Sequence, residues 1–258
     1  MILRWYHPIR YEYKPWPLWR LDLNLAYILK SFNHQRSPLT MADNDHFLAM
    51  NQWLNERSWQ SDSSEPSIAL GAVGDLRWIR SGWHNALSPG VKQLLSHADL
   101  TVANLETPID PSRKVPKWTY DAFRYNAPAE YLSSWQDLPA HAQHVFSICN
   151  DHALDQGVKG LSATRNSILN QGDTFHCLGG MNDGEEMTLL DIKGLKIGFL
   201  ASTFTINKQT SRHRTPQGIP IHLFGCSHVQ PDWTSIATQI KQLKNKGAEF
   251  IVFSPHWS

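Results

Sequence analysis

Residues 144–157 read HVFSICNDHALDQG, an apolar run that gives way at Asn150 to a cluster of polar side chains including His152. The same transition recurs in ALGAVGD (69–75), LTVANLE (100–106) and IVFSPH (251–256), which place Asp75, Glu106 and His256 just past runs of strand-forming residues. Helix-like stretches separate these runs, and such alternation predicts an α/β domain. In α/β sheets, side chains just past the carboxyl ends of strands converge on one crevice while the strands behind hold them rigid. The four stretches therefore predict one shared site.

KIGFLAST (196–203) supplies a further strand-like run, and TLLDIK precedes it. The Gly194-Leu195-Lys196 stretch joins the two, and glycine's tolerance of positive φ predicts a β-hairpin there. Helices are expected over Pro89–His97, Pro128–Trp135, Gly160–Gln171 and Pro231–Lys246. In the last, Trp233, Ile236, Ala237, Ile240 and Leu243 recur at three- and four-residue spacing, Asp232 can cap the start, and Gly247 can end it in a left-handed conformation. Residues 1–66 form a different region, rich in aromatic residues and proline and closing on the polar run around SWQSDSSEPS. They read as an N-terminal extension and linker ahead of a domain over 67–258. Trp5, Tyr6, Tyr11, Tyr13, Trp16 and Trp19 read better as an arm packed on the domain than as a stacking platform for sugars or a peptide polymer.

Composition narrows the partners. Twenty-four Lys and Arg against 23 Asp and Glu leave a formal charge of +1, which gives no general attraction for nucleic acid or an anionic membrane. Cys149, Cys177 and Cys226 are widely spaced and form no CxxC pair, so they read as reduced core thiols. Charged residues and prolines break up the first 20 residues, leaving no signal-peptide core, and no run of about 18 apolar residues could span a bilayer. A cytoplasmic location is the expectation.

Two carboxylates, an amide oxygen and imidazoles form a donor set that a divalent ion such as Mn, Zn, Fe or Mg accepts, and a carboxylate can bridge two ions. A paired-metal site generates hydroxide near neutral pH and clamps the attacking and leaving oxygens of a phosphoryl transfer. His152 could stay off the metal and protonate the leaving oxygen. Taken singly, Asp75 and Asn150 would more often cap helices or fix turns, and His256 is one of 13 histidines. Their joint placement is what favours a site. No GxGxxG or Walker loop follows the first strand, which argues against a bare nucleotide-binding domain.

The segments GDLRWIR (74–80), ANLETPI (103–109), FRYNAP (123–128), CNDHALDQG (149–157) and SPHW (254–257), with Gly179, Gly180 and Asn182 between the last two, follow the motif order of bacterial capsule-synthesis proteins of the CapA (poly-gamma-glutamate) type. The resemblance covers roughly residues 67–258. It implies a calcineurin-like metallophosphoesterase fold, two facing β-sheets flanked by helices, with the metals at the sheet edge. It also implies that Asp75 binds a first metal, Glu106 bridges, Asn150 and His256 bind a second, and His152 is the acid. Arg80 matches the arginine after the family's GD motif and would hold a substrate phosphate or carboxylate oxygen. Asp151 stands where the family usually has a second Asn, at a position not expected to touch metal. Ser258 stands where the family usually has Gly, and relatives continue to a further histidine motif, so a domain incomplete at its C-terminus is expected. The resemblance leaves two functions open. One is metal-dependent hydrolysis of a phosphoester or related bond. The other is a non-catalytic accessory role in making or exporting an anionic envelope polymer.

Overall fold

The computed structural model describes residues 48–49, 52, 67–79, 81–117, 124–180, 187–204, 206, 221 and 233–256. The chain divides into two compact units, Met1–Ser67 and Ile68–Ser258. In the first, Leu48, Ala49 and Gln52 are helical; the second carries the α/β architecture.

Seven strands are seen among the described residues: β1 (Leu70–Asp75), β2 (Leu100–Asn104), β3 (Gln143–Ser147), β4 (Phe175–Leu178), β5 (Met187–Ile192), β6 (Leu195–Thr203) and β7 (Phe250–His256). The helices are α1 (Pro89–Leu95), α2 (Gly157–Leu169) and α3 (Trp233–Asn245), with 3-10 turns at Trp83–Asn85 and Ala129–Trp135. Strands β1 to β4 form one sheet in sequence order, and β5, β6 and β7 form a second. The first is parallel throughout; in the second, β5 and β6 are antiparallel and β6 and β7 parallel. The α/β class is what the alternating runs predict, and the division into two sheets is what the resemblance implies.

One hydrophobic core joins the sheets. Leu100, Val102, Val145 and Phe146 from the first sheet belong to the same buried cluster as Ile192, Ile197 and Phe199 from the second. Such burial stabilises by about 25 cal/mol per Å² of apolar surface removed from water, and here it fixes how the strand ends face one another. Beneath α3, Ile236 and Leu243 pack with Leu200, with Ile240 against them, as the helical spacing requires. Gly198 permits this approach, since a Cβ there would stand 3.0 Å from Leu243 Cδ2. At the hairpin, Lys193 and Gly194 take φ of 52° and 88°, the pair of positive values that a tight two-residue connection needs.

Several elements depart from the sequence expectation. The segment before Trp135 is 3-10 rather than α-helical. Ser133 Oγ donates to Glu130 O at 2.7 Å, and Ser134 Oγ accepts from Leu87 N–H at 3.3 Å. These side-chain bonds, together with the burial of Tyr131, Leu132 and Trp135, hold a short turn whose backbone is not free to propagate. Helix α2 starts at Gly157 and ends at Leu169, a little ahead of the expected span at both ends. Strand β4 is short, and His176 interrupts its apolar run, which hides it from periodicity; pairing with β3 makes it a strand. Gly247 follows α3 with φ 94° as expected, whereas Asp232 lies outside the described residues. Cys149 and Cys177 are buried free thiols, and Cys226 lies outside the described residues, as do the aromatic residues of the first 19 positions. No helix among the described residues is long and apolar enough to cross a membrane.

Candidate metal centre

The carboxyl ends of β1, β2, β3 and β7 deliver the polar residues. The register of β1 on β2 slips between Val73 and Asp75, so Asp75 sits opposite Asn104. Such a bulge re-aims a side chain at the end of a strand. Beyond the strands the ladder continues through the connecting segments. Leu76 N–H donates to Asn104 O at 2.7 Å, Glu106 N–H to Leu76 O at 3.1 Å, and Leu105 N–H to Ser147 O at 2.8 Å. The backbone carrying Asp75, Glu106 and their neighbours is therefore as fixed as a strand.

On this frame the side chains interlock. Asn104 Nδ2 donates to Asp75 Oδ1 at 2.8 Å and lies 3.1 Å from His256 Nδ1. Asn150 Nδ2 donates to Asn104 Oδ1 at 3.1 Å and to Leu105 O at 2.9 Å, while its Oδ1 accepts from His152 N–H at 3.1 Å. His256 Nε2 is 2.9 Å from Asp151 Oδ1, and His256 Nδ1 is 3.9 Å from Asp75 Oδ1. His152 Nδ1 lies 2.6 Å from Asp155 Oδ2, which turns Nε2 toward Glu106 Oε1 at 3.9 Å and Asp151 Oδ2 at 3.8 Å. The Tyr125 ring stacks on His152 with centroids 3.7 Å apart and planes 8° from parallel.

Glu106, Asp151 and His152 each offer one ligand atom, all within 4.8 Å of one another, and all three residues are buried. Glu106 Oε2 is buried without a hydrogen bond, although Arg77 Nε stands 3.2 Å away as an ion-pair partner. A buried carboxylate oxygen in that state has to be balanced by a cation; Arg77 supplies one from outside, and the three ligand atoms are close enough together to be able to hold a metal ion. Burial, with the charges of Asp75 and Asp151, pushes the Glu106 carboxyl up to about 6 against the opposing pull of Arg77 and His152. For Asp151, burial also opposes ionisation, but the hydrogen bond and charge of His256 and the charge of His152 outweigh it and hold the carboxyl below its ordinary value. For His256, burial opposes protonation, yet its bond to Asp151 and the carboxylates around it raise its pKa.

The structure thus brings Asp75, Glu106, Asn150, His152 and His256 to one place. Arg80 lies outside the described residues. Asp151, which the resemblance sets apart from the metal, is a member of the cluster. Sequence reading also gave no role to Asn104, the hub between Asp75, Asn150 and His256, or to Tyr125 and Arg77. Asn104 carries a signal in the sequence: it ends a strand run, LTVAN, much as Asp75 and His256 end theirs.

A two-sheet α/β domain whose strand ends gather carboxylates and histidines defines a class of protein with a buried cluster, Glu106, Asp151 and His152, that could hold a metal ion. Residues 52–258 match the sequence profile of the bacterial capsule synthesis protein PGA_cap. That match spans most of the chain, which therefore belongs to the bacterial capsule synthesis protein PGA_cap family. None of the curated proteins matches it.

Proposed function

We propose that this capsule-synthesis protein carries a metal-dependent site that hydrolyses a phosphoester or related bond in the metabolism of an anionic envelope polymer such as poly-gamma-glutamate. The observation that supports this reading most is Glu106, a buried carboxylate whose Oε2 lacks a hydrogen bond, set against Asp151 and His152. The proposed ligands are Asp75, Glu106, Asn150 and His256, joined by Asp151, for two ions of the Mn, Fe, Zn or Mg type. When bound, such ions make a hydroxide nucleophile available near neutral pH and polarise phosphoryl oxygens.

The chain's own residues supply the rest. Asp155 accepts the Nδ1 proton of His152 and so fixes the tautomer and the ring orientation. His152 Nε2 then faces the carboxylates, and in the imidazolium form it carries the second proton, which can pass to a leaving oxygen while Nδ1 keeps its own on Asp155. Asn150 and Asn104 lock the strand-end carboxylate and imidazole into one hydrogen-bonded frame. Tyr125 covers the ring of His152 and limits its motion.

Elemental analysis of the purified protein beside Asp75→Ala and His256→Ala, followed by a chromogenic phosphomonoester and phosphodiester screen, tests the reading. Stoichiometric metal that both substitutions remove, with hydrolysis, is the expected result. His152→Ala should keep its metal and lose turnover. A folded wild type that binds no divalent ion would overturn the site, and a metal-loaded protein that cleaves no phosphoester would favour the accessory role.

A further inference from the structure

His256 stands between two carboxylates. Its Nε2 is 2.9 Å from Asp151 Oδ1, and its Nδ1 is 3.9 Å from Asp75 Oδ1. A neutral imidazole carries one proton, so one nitrogen donates and the other keeps a lone pair. Only the nitrogen with the lone pair can hold a metal, and the hydrogen bond made by the other decides which one that is. Asp151 is the nearer acceptor, but a carboxylate on each side of the ring can draw the proton.

Asn104 settles the choice. Its Nδ2 lies 3.1 Å from His256 Nδ1 and donates to Asp75 Oδ1 at 2.8 Å. An amide nitrogen donates two protons and accepts none, so it bonds only to an Nδ1 that carries no proton. The orientation of this amide is itself dictated by the backbone. His152 N–H can only donate, and it takes Asn150 Oδ1 at 3.1 Å; Leu105 O can only accept, and it takes Asn150 Nδ2 at 2.9 Å. Asn150 Nδ2 gives its other proton to Asn104 Oδ1 at 3.1 Å, which turns Asn104 Nδ2 toward Asp75 and His256. Flipping either amide would set donor against donor and acceptor against acceptor along the chain. A polarity that starts at main-chain atoms beyond β2 and β3 thus ends on one nitrogen of a ring at the end of β7.

We propose that Asn104 is the positioning residue that sets the tautomer of His256, keeping its proton on Nε2 against Asp151 and leaving Nδ1 as the nitrogen with which the ring holds a metal beside Asp75. The assignment rests on the metal centre of the reading above and is independent of hydrolysis. It divides the work of Asp151 between its oxygens, since Oδ1 takes the His256 proton while Oδ2 faces His152 Nε2 at 3.8 Å. A carboxylate that accepts the far N–H of a ligating imidazole fixes the ring and makes it the stronger ligand.

The tautomer is read from long-range proton–nitrogen correlation spectra of the metal-free protein, labelled with the heavy nitrogen isotope in histidine, at a pH where the ring is neutral. His256→Ala identifies the signal. Mn affinity is measured calorimetrically on the same proteins, and near-ultraviolet circular dichroism checks folding. Wild type is expected to carry the His256 proton on Nε2. Asn104→Leu, which keeps the bulk and removes both donors, is expected to show both tautomers and to bind Mn about 10- to 100-fold more weakly. Asn104→Asp keeps the oxygen that Asn150 needs and sets an acceptor against Nδ1, so it should draw a proton there; it carries the test if the leucine variant does not fold. A wild-type ring protonated on Nδ1 would overturn the proposal. So would a proton that stays on Nε2 in whichever variants fold, because Asp151 alone would then set the tautomer. A leucine variant whose tautomer shifts while its Mn affinity is unchanged would refute Nδ1 as the ligating nitrogen. An Asn104-dependent tautomer in a wild type that binds no Mn would leave the positioning role standing and remove the metal reading.

Discussion

His256 Nε2 and Asp151 Oδ1 lie 2.9 Å apart, so a hydrogen bond between two buried groups clasps the end of β7 in one sheet to the turn after β3 in the other. Burial acts against the charged form of each, and their mutual attraction wins for both. The contact links residues 105 positions apart, and it exists only because the shared core sets the two sheets face to face.

The clasp has a pH window. The folded pKa of Asp151 is depressed, so its contribution is present above the ordinary value of 3.8 and is lost as pH falls through the folded pKa. The folded pKa of His256 is raised, so its contribution is full below 6.5 and is lost as pH rises through the folded pKa. Urea unfolding of metal-free wild type and Asp151→Asn should differ by about 1–3 kcal/mol between these limits and converge on either side. A difference independent of pH would refute the ionic clasp.

Glu106 carries the opposite sign. Its carboxyl rises from 4.5 to about 6 on folding, so stability is full below 4.5 and falls as pH rises through 6, by about 2 kcal/mol at 1.36 kcal/mol per unit. Metal-free Glu106→Gln should therefore be more stable than wild type at pH 8 by up to about that amount, and no more stable at pH 4. Metal content should fall in the same variant. Equal stability at both pH values would show that Arg77 already compensates the buried charge in full.

These groups mark how far sequence reading reached. Asp75, Glu106, Asn150, His152 and His256 were legible because each follows an apolar strand run, and a strand end is a place that sequence can locate. The resemblance sets Asp151 apart from the metal, and a strand end alone does not say which of several consecutive polar side chains turns inward; the bond to His256, from the other sheet, turns Asp151 into the cluster. Asn104 carries no role in that reading, since its part as hub depends on a bulge in β1 that no periodicity displays. Tyr125 and Arg77 meet only through the folding of loops far apart in sequence. The hairpin at Gly194 and the α3 stripe were readable because both are local.

His144 offers a test well behind the site. The residue is 2% exposed, and its ring shares a 2.8 Å hydrogen bond with Thr101 Oγ1 and packs against Trp135 and Phe175. Burial, with the charge of His176, lowers its pKa from 6.5 to about 4. The folded state thus prefers a neutral ring, and stability present above 6.5 is lost as pH falls toward 4, by about 3 kcal/mol in all. Replacing His144 with Gln should flatten acid unfolding over that range, at some loss of stability near pH 7 from imperfect packing. An acid-unfolding curve parallel to wild type would mean that other groups set the acid limit.

Asp155 separates orientation from structure. Its Oδ2 accepts from both His152 Nδ1 and Tyr125 N–H, each at 2.6 Å. Because one oxygen serves both donors, Asp155→Asn can keep both bonds through its amide oxygen while removing the charge behind the imidazole. That variant should retain metal and thermal stability and lose roughly 10- to 100-fold in kcat, the usual effect of removing a charged partner behind a site residue, with KM little changed. Asp155→Ala strips both buried donors of their acceptor and should lower stability by about 1–3 kcal/mol per orphaned donor. If the two variants lose activity and stability in parallel, Asp155 serves only to hold the turn. If the asparagine variant loses turnover alone, the carboxylate acts through His152, and the imidazole is a working proton donor rather than a buried histidine satisfied by its neighbours.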